Sequence, residues 1–407
     1  MMKCGLLGGK LGHSYSPQIH GMLADYEYLL YEKTQEELSE FLLHSDVCGL
    51  NVTIPYKKTV IPFCAELSPR AQRLGAVNTL VRRPDGTLVG HNTDYFGFET
   101  LLHHSGLSVS GKKALVLGSG GASATAVAVL QDQGADTIVI SRSGENNYQN
   151  LGRHRDAALI VNATPVGMYP GNGAAPLSLD GFPQLEGVLD MVYNPARTSL
   201  LLQAEERGIP AANGLLMLVA QAKESAEWFL GKPISQDVIP KITRKLRSQM
   251  ENIILIGMPG SGKTTVSSIL LQKTGRKTVD SDEEFLARFG RTPAQTITED
   301  GEAAFRRLES QMLAELGKLS GIVLATGGGC VTVPENYPLL HQNGTLFYLQ
   351  RSLDLLPLDG RPISRSTGVE ALFQKRDPLY RQFADHLIDN NGLPEAAADQ
   401  IMSILGE

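Results

Sequence analysis

Two stretches of this chain have the residue types and spacing to hold phosphate, and they differ in design. The stronger is GMPGSGKT, residues 257–264, which matches G-x-x-x-x-G-K-[ST] throughout. Four apolar strand residues precede it, and VSSILLQKTG follows as a helix. Gly257, Gly260 and Gly262 let successive backbone N–H groups turn inward on phosphate oxygens, with Ser261 and Thr265 in the same loop. The helix N-terminus adds positive potential. Lys263 is spaced to reach the β- and γ-phosphates, and the Thr264 hydroxyl to sit on Mg²⁺. This pattern predicts nucleotide binding and leaves the acceptor open.

The second stretch, GSGGAS at 118–123, approximates G-x-G-x-x-G, with Ser123 in the place of the third glycine. Gly118, Ser119, Gly120, Gly121 and Ala122 would carry the pyrophosphate of a dinucleotide. Roughly 20 residues on, an acid would hold a ribose 2′-hydroxyl. Ser141, Arg142 and Ser143 stand there instead, which suits a 2′-phosphate and favours NADP(H), while Glu145 nearby leaves NAD open.

Other residues acquire meaning only in groups. HSYSPQIH (13–20) sets Ser14 and Ser16 two apart, and on an extended segment both hydroxyls would face one anion. NVTIPYKK (51–58) places Asn51 and Thr53 on a common face and leads to Lys57; GAVNTL supplies Asn78 and HNTD supplies Asp94. Alone, Lys57 reads as an exposed lysine and Asp94 as a helix N-cap. In the second half, VDSD (279–282) carries Asp280 and Asp282 on one face, and GEAAFRRLE puts Arg306 on a helix. LATGGGC opens a strand into Gly327, Gly328 and Gly329, GRPIS carries Arg361, and KRDPLY carries Arg376.

The elements that must position these residues follow an α/β pattern. CGLLGG, CGLNVTIP and AVNTLVRR read as strands, with PDG (84–86) as a hairpin turn. SPQIHGMLADY reads as a helix with Ser16 at its cap and Pro17 in its first turn. KKALVLGSGG, a small-residue helix and DTIVISRS form a β-α-β unit, and LIVNATPVGM and GVLDMVYN continue the sheet as buried strands. GLLMLVAQAKESAEWFLG (214–231) is a long apolar-periodic helix, read as returning to the first domain. KITRKLRSQ is a basic helical end, and the Met250-Glu251 that follows reads as the beginning of a second protein joined in frame. No Gly/Ser-rich or Pro-rich linker separates the halves, so they are expected to lie close.

A length of 407 residues suits two or three domains. The net charge of -6 gives no basic footprint for nucleic acid or an acidic membrane surface. No apolar run approaches the ~20 residues of a membrane span, and MMKCGLLGGK lacks a cleavable export pattern. Four scattered cysteines fit free thiols in a reducing cytoplasm. The expected partners are small molecules, and the expected form is a monomer or homodimer.

Residues 252–407, taken in order, resemble shikimate kinase. That resemblance implies that Arg306 and Arg376 grip a shikimate carboxylate and that Asp282 binds ring hydroxyls and deprotonates the attacking one. It also implies that Asp280 lies near Mg²⁺, that the three glycines admit substrate, and that Arg361 closes over ATP as a lid arginine. The stretch around Arg361 is shorter than in many relatives, and a basic residue upstream is replaced by Leu356, Pro357 and Leu358. Weaker closure, or compensation from Arg365, is expected.

Residues 3–247 resemble shikimate dehydrogenases through HSYSP, NVTIPYK, GAVNTL, NTD, GSGGAS, NAT, MVYNP and GLLMLVAQA. The resemblance implies that Ser14 and Ser16, with Tyr193, hold the substrate carboxylate and that Asn51, Thr53, Asn78 and Gln221 bind ring hydroxyls. Lys57 and Asp94 would be the catalytic pair. It implies a substrate domain at 1–102 and 214–248, a Rossmann NADP domain at 103–213, and a P-loop kinase domain with a parallel sheet at 252–407. Together the halves imply reduction of 3-dehydroshikimate to shikimate with NADPH, then phosphorylation at the 3-hydroxyl with ATP and Mg²⁺. Two alternatives stand beside this: an NAD-dependent quinate/shikimate oxidoreductase, and a silent kinase half kept as a binding module.

Overall fold

The computed structural model describes residues 1–12, 14–356 and 368–406. The chain forms two compact units. One comprises Met1–Gly167, Ala174–Tyr193 and Gln203–Lys245; the other comprises Met168–Gly173, Asn194–Leu202 and Leu246–Glu407.

The first unit contains two sheets. In the first sheet, β1 (Lys3–Gly8) lies between β2 (Glu27–Glu32) and β3 (Gly49–Val52), parallel to both. β4 (Cys64–Leu67), β5 (Thr79–Arg82) and β6 (Leu88–His91) complete the order β2-β1-β3-β5-β6-β4. β5 and β6 are antiparallel, joined by the expected Pro84-Asp85-Gly86 turn, where Gly86 takes φ +88°. The loops after β1 and β3 leave the same edge, so Ser14 and Lys57 start from neighbouring strand ends. The core under this sheet includes Leu7, Leu50, Val52, Tyr56 and Leu80.

The second sheet consists of β7 (Lys113–Leu117), β8 (Asp136–Ile140), β9 (Leu159–Asn162), β10 (Gly187–Asp190) and β11 (Ala211–Asn213). All neighbours are parallel, in the order β11-β10-β9-β7-β8. The chain leaves β7 toward β8 and then returns to β9 on the other side. That reversal opens a crevice at the strand C-termini, where a doubly wound sheet binds its ligand.

The helix Leu215–Leu230 packs on the helices Asp94–His104 and Ser16–Leu23. Gly97 permits the first contact, because a Cβ there would lie 2.8 Å from the Met217 carbonyl oxygen.

The second unit is built on one parallel sheet ordered β13-β14-β12-β15-β16. Its strands are β12 (Asn252–Ile256), β13 (Thr278–Asp280), β14 (Val323–Ala325), β15 (Gly344–Gln350) and β16 (His386–Asp389). β12 is central, and the near-continuous apolar run of NIILI matches a strand covered on both faces. Its faces are packed by two apolar clusters, one around Ile254, Phe305 and Tyr348, the other around Ile253, Leu255 and Phe347. Among the described residues, no helix is long and apolar enough to cross a membrane.

Candidate active sites

Lys57 and Asp94 meet in the first unit: Lys57 Nζ donates to Asp94 Oδ2 at 2.6 Å, with their side chains 29% and 14% exposed. Lys57 comes from the loop after β3. Asp94 is the first residue of the helix Asp94–His104, and Thr93, not Asp94, holds the N-cap position. Thr93 is itself fixed, since its N–H donates to Asn78 Oδ1 at 2.7 Å and Asn78 Nδ2 donates to Thr93 Oγ1 at 3.0 Å.

That pair belongs to a buried polar network. Asn51 Nδ2 donates to Ser225 Oγ at 2.8 Å, and the Thr79 and Thr93 hydroxyls lie 2.8 and 2.9 Å from the same oxygen. Tyr28 donates to Asn51 Oδ1 at 2.8 Å. Buried polar groups are tolerated when hydrogen-bonded, and such satisfied networks fix side-chain geometry. Ser225, Thr79, Thr93 and Tyr28 were not singled out in the sequence. Ser225 could have been, because it stands one helical turn beyond Gln221 on the same face. Gln221 Nε2 donates to the Leu218 carbonyl at 2.8 Å, and its Cβ stands against Gly97 of the Asp94 helix.

The Ser14–Ser16 segment departs from expectation. Tyr15 has helical dihedrals (φ -79°, ψ -5°), so the segment is not extended and the two hydroxyls do not alternate as on a strand. Tyr15 holds the N-cap position, without a side-chain cap bond, and Ser16 is the first helical residue, its N–H donating to Ser14 Oγ at 3.2 Å. Pro17 in the first turn presets the helix and draws Tyr15 into it. His13 lies outside the described residues. Tyr15 stacks edge-on against Tyr193 at 6.1 Å, which brings Tyr193 to this segment. Burial raises the Tyr193 phenol pKa above its usual range, keeping it a hydrogen-bond donor. Thr53 follows β3, its N–H bonded to the Leu7 carbonyl at 2.9 Å.

A cleft of about 990 Å³ connects Lys57 to the glycine loop. Gly118, Ser119, Gly120, Gly121, Ala122, Ser141 and Arg142 line it from one side, with Thr164 and Pro165 from the loop after β9. Gly118 takes φ +106° and passes close to Ala163 and Thr164. A Cβ at Gly120 or Gly121 would meet nothing within 4 Å, so these glycines leave space that no protein atom fills. A dinucleotide pyrophosphate fits that cradle at the N-terminus of the helix Gly121–Asp132. Ser143 lies outside the lining, its carbonyl accepting from the Ser141 hydroxyl. Tyr148, not singled out in the sequence, lines the cleft beside Arg142, and the exposed Glu145 does not.

In the second unit a cleft of about 790 Å³ runs from the phosphate loop to the glycine triplet. Gly260, Gly262, Lys263, Thr264 and Thr265 line it together with Asp280, Asp282, Arg306, Gly327, Gly328, Gly329 and Arg376. Gly257, Gly260 and Gly262 take φ of +147°, +85° and +94°, the left-handed region that glycine favours. Ser261 is buried, and its carbonyl accepts from Asn390 Nδ2 at 2.6 Å. Lys263 Nζ donates to the carbonyls of Gly257 and Met258 at 3.0 and 3.1 Å.

Asp280 and Asp282 were read on one strand face, yet the strand ends at Asp280 and a helix starts at Ser281. Asp280 caps that helix, accepting the Asp282 N–H at 2.9 Å, and its other oxygen accepts from the Thr264 hydroxyl at 2.9 Å. Two oxygen donors thus stand together beside the phosphate loop, which fits Mg²⁺ held by one or two protein groups plus phosphates and water.

Arg306 is gripped by Glu309 at 2.7 Å and Glu302 at 3.1 Å. Glu309 is 2% exposed, and burial raises its pKa against the opposing pull of Arg306. It was not singled out, although three residues of spacing put it on the helix face of Arg306. Arg376 Nη1 donates to the Gly328 carbonyl at 3.0 Å, as does the Tyr380 hydroxyl. A Cβ at Gly329 would lie 1.9 Å from Arg306 Nη2, so any side chain there would have to displace that guanidinium. Arg361 and Arg365 lie outside the described residues.

Comparison with known proteins assigns a family to each part of the chain. Residues 259–406 match the shikimate kinase family model, and residues 6–80 match that of the shikimate dehydrogenase substrate binding domain. An NADP(+) shikimate dehydrogenase from Clostridium perfringens is 35% identical over 266 residues, 60% of this chain and 97% of that protein. The crystal structure of shikimate dehydrogenase 1 from Peptoclostridium difficile matches at 35% identity and TM-score 0.56, covering 61% of this chain and 98% of that one. A shikimate 5-dehydrogenase from Thermus thermophilus, solved with NADP(H) and shikimate, matches at 30% identity and TM-score 0.56, over 60% and 99% of the two chains. The chain belongs to the shikimate dehydrogenase family and carries a shikimate kinase domain after the dehydrogenase part.

Proposed function

We propose that the first unit reduces 3-dehydroshikimate to shikimate with NADPH and that the second phosphorylates shikimate to shikimate 3-phosphate with ATP and Mg²⁺. The observation that carries the first activity is the 2.6 Å Lys57–Asp94 pair, with Lys57 on the wall of the cleft that holds the glycine loop and Arg142. NADPH, held by the glycine loop and Arg142, would supply the hydride for the carbonyl carbon. Negative charge then grows on the carbonyl oxygen, and the Lys57 ammonium gives it a proton. Asp94 holds that ammonium in place. Asn51, Asn78, Thr53 and Gln221 bind the ring hydroxyls; Ser14, Ser16 and Tyr193 take the carboxylate. Arg142, with Ser141, meets the 2′-phosphate, and Glu145 does not line the cleft, which favours NADP over NAD.

For the second activity, the carrying observation is one cleft lined by both a phosphate loop and two largely buried arginines. Arg306 and Arg376 take the shikimate carboxylate, a bidentate task suited to guanidinium. Asp282 accepts the proton of the attacking 3-hydroxyl. Lys263 exchanges its loop carbonyls for phosphate oxygens, and Thr264 and Asp280 bind Mg²⁺. The product of the first reaction is the acceptor of the second. The proposed domains are 1–102 with 214–248, 103–213, and 252–407.

One assay tests the whole reading: purified protein with 3-dehydroshikimate, NADPH, ATP and Mg²⁺, followed by NADPH absorbance and product mass. Shikimate 3-phosphate is expected. Shikimate accumulating unphosphorylated would make the second unit a binding module, and no NADPH loss would overturn the first assignment.

A further inference from the structure

The phosphate chain of a nucleotide is strongly anionic, and four described cations line the second unit's cleft: Lys263, Arg306, Arg351 and Arg376. Arg306 is held by Glu302 and Glu309, and Arg376 by the Gly328 carbonyl; both stand beside the glycine triplet. Lys263 is the loop's own lysine. Arg351 is different in origin and position. It is the residue directly after β15, which lies beside β12, the strand that feeds the phosphate loop.

Its guanidinium stands beside the loop. A Cβ built on Gly262 would lie 3.5 Å from Arg351 Nη1 and 2.6 Å from Asn390 Nδ2. Gly262 is the last residue before the helix Lys263–Thr274, so Arg351 flanks the N-terminus where backbone N–H groups and positive helix potential converge. Arg351 Nε is buried and has no hydrogen-bond partner among the described residues. An unsatisfied buried donor is costly unless a ligand oxygen supplies its acceptor.

We infer that Arg351 binds the phosphate chain of the nucleotide, so that the second unit draws a guanidinium from the end of β15 beside its phosphate loop. The inference rests on the ATP-binding reading of that unit. A guanidinium suits the role because its planar fork pairs with two phosphate oxygens at once.

The test is the affinity of the full chain for ATP, ADP and adenosine, measured by calorimetry for wild type, Arg351→Gln and Arg351→Lys. A lost charge-assisted contact predicts that Arg351→Gln weakens ATP and ADP binding about tenfold and leaves adenosine unchanged, with partial recovery in Arg351→Lys. Equal ADP affinity in wild type and Arg351→Gln would overturn the inference. So would an adenosine affinity that falls as far as that for ADP, since the contact would then be with base or ribose. Wild type that binds no nucleotide would overturn the ATP-binding reading itself. Matching unfolding curves for the three proteins show that any loss is local.

Discussion

At the scale of single residues, charge placement decides the chemistry. Arg142 lines the cleft of the glycine loop, whereas Glu145, three residues on, does not. A carboxylate at 142 would repel a 2′-phosphate and could accept from a free 2′-hydroxyl. Arg142→Asp is therefore expected to raise the KM for NADPH at least tenfold and to lower that for NADH; initial rates with each cofactor check both directions. Glu224 shows how burial sets a titration. Desolvation raises its pKa to about 7, against the pull of Arg70, whose Nη1 lies 3.1 Å away. Its pKa in the unfolded chain is the ordinary ~4.3, so between that value and about 7 the folded state binds more protons. Stability present below the unfolded value is then lost as pH rises to about 7. Glu224→Gln should flatten this fall, seen as a smaller drop in Tm between pH 5 and pH 7. An undiminished slope would assign it to other groups.

At the scale of elements, the sites are made where strand ends meet helix starts, and close backbone approach is what glycine supplies. Gly329 leaves room for the Arg306 guanidinium, so Gly329→Ala must displace that arginine or the loop. The expected outcome is a shikimate KM raised at least tenfold with a much smaller change for ATP, because the phosphate loop is on another strand. Equal losses for both substrates would mean that the whole cleft had collapsed. This scale also explains what the sequence disclosed. GMPGSGKT was legible because a phosphate loop is contiguous: its strand, turn and helix all lie within about twenty residues. The Lys57–Asp94 pair is not contiguous, and only its resemblance to a known order of motifs pointed to it. Ser225, Thr79 and Tyr28 were missed because a serine, threonine or tyrosine becomes a site residue only when tertiary packing buries it against Asn51. The spacing of Ser14 and Ser16 misled for a local reason: alternation holds on a strand, and Pro17 had already started a helix.

At the scale of the whole molecule, each unit has a cleft of its own. The described lining of one cleft comes from residues 54–176 and that of the other from residues 259–376, with no residue shared. Local inactivation should therefore separate the two activities. Lys57→Met removes the proton donor, and general acid catalysis contributes about 10²- to 10⁴-fold, so NADPH oxidation should fall by that order. Shikimate supplied directly should still be phosphorylated at the wild-type rate. Lys263→Met removes the lysine expected at the β- and γ-phosphates, so shikimate should accumulate from 3-dehydroshikimate while NADPH is consumed at the wild-type rate. Mixing the two variants should restore shikimate 3-phosphate, because free shikimate can pass from one molecule to the other. Failure of the mixture, with each remaining activity intact, would mean that shikimate made by one molecule does not reach the kinase site of another. Loss of both activities in either variant would show that the sites depend on each other, against two self-contained clefts.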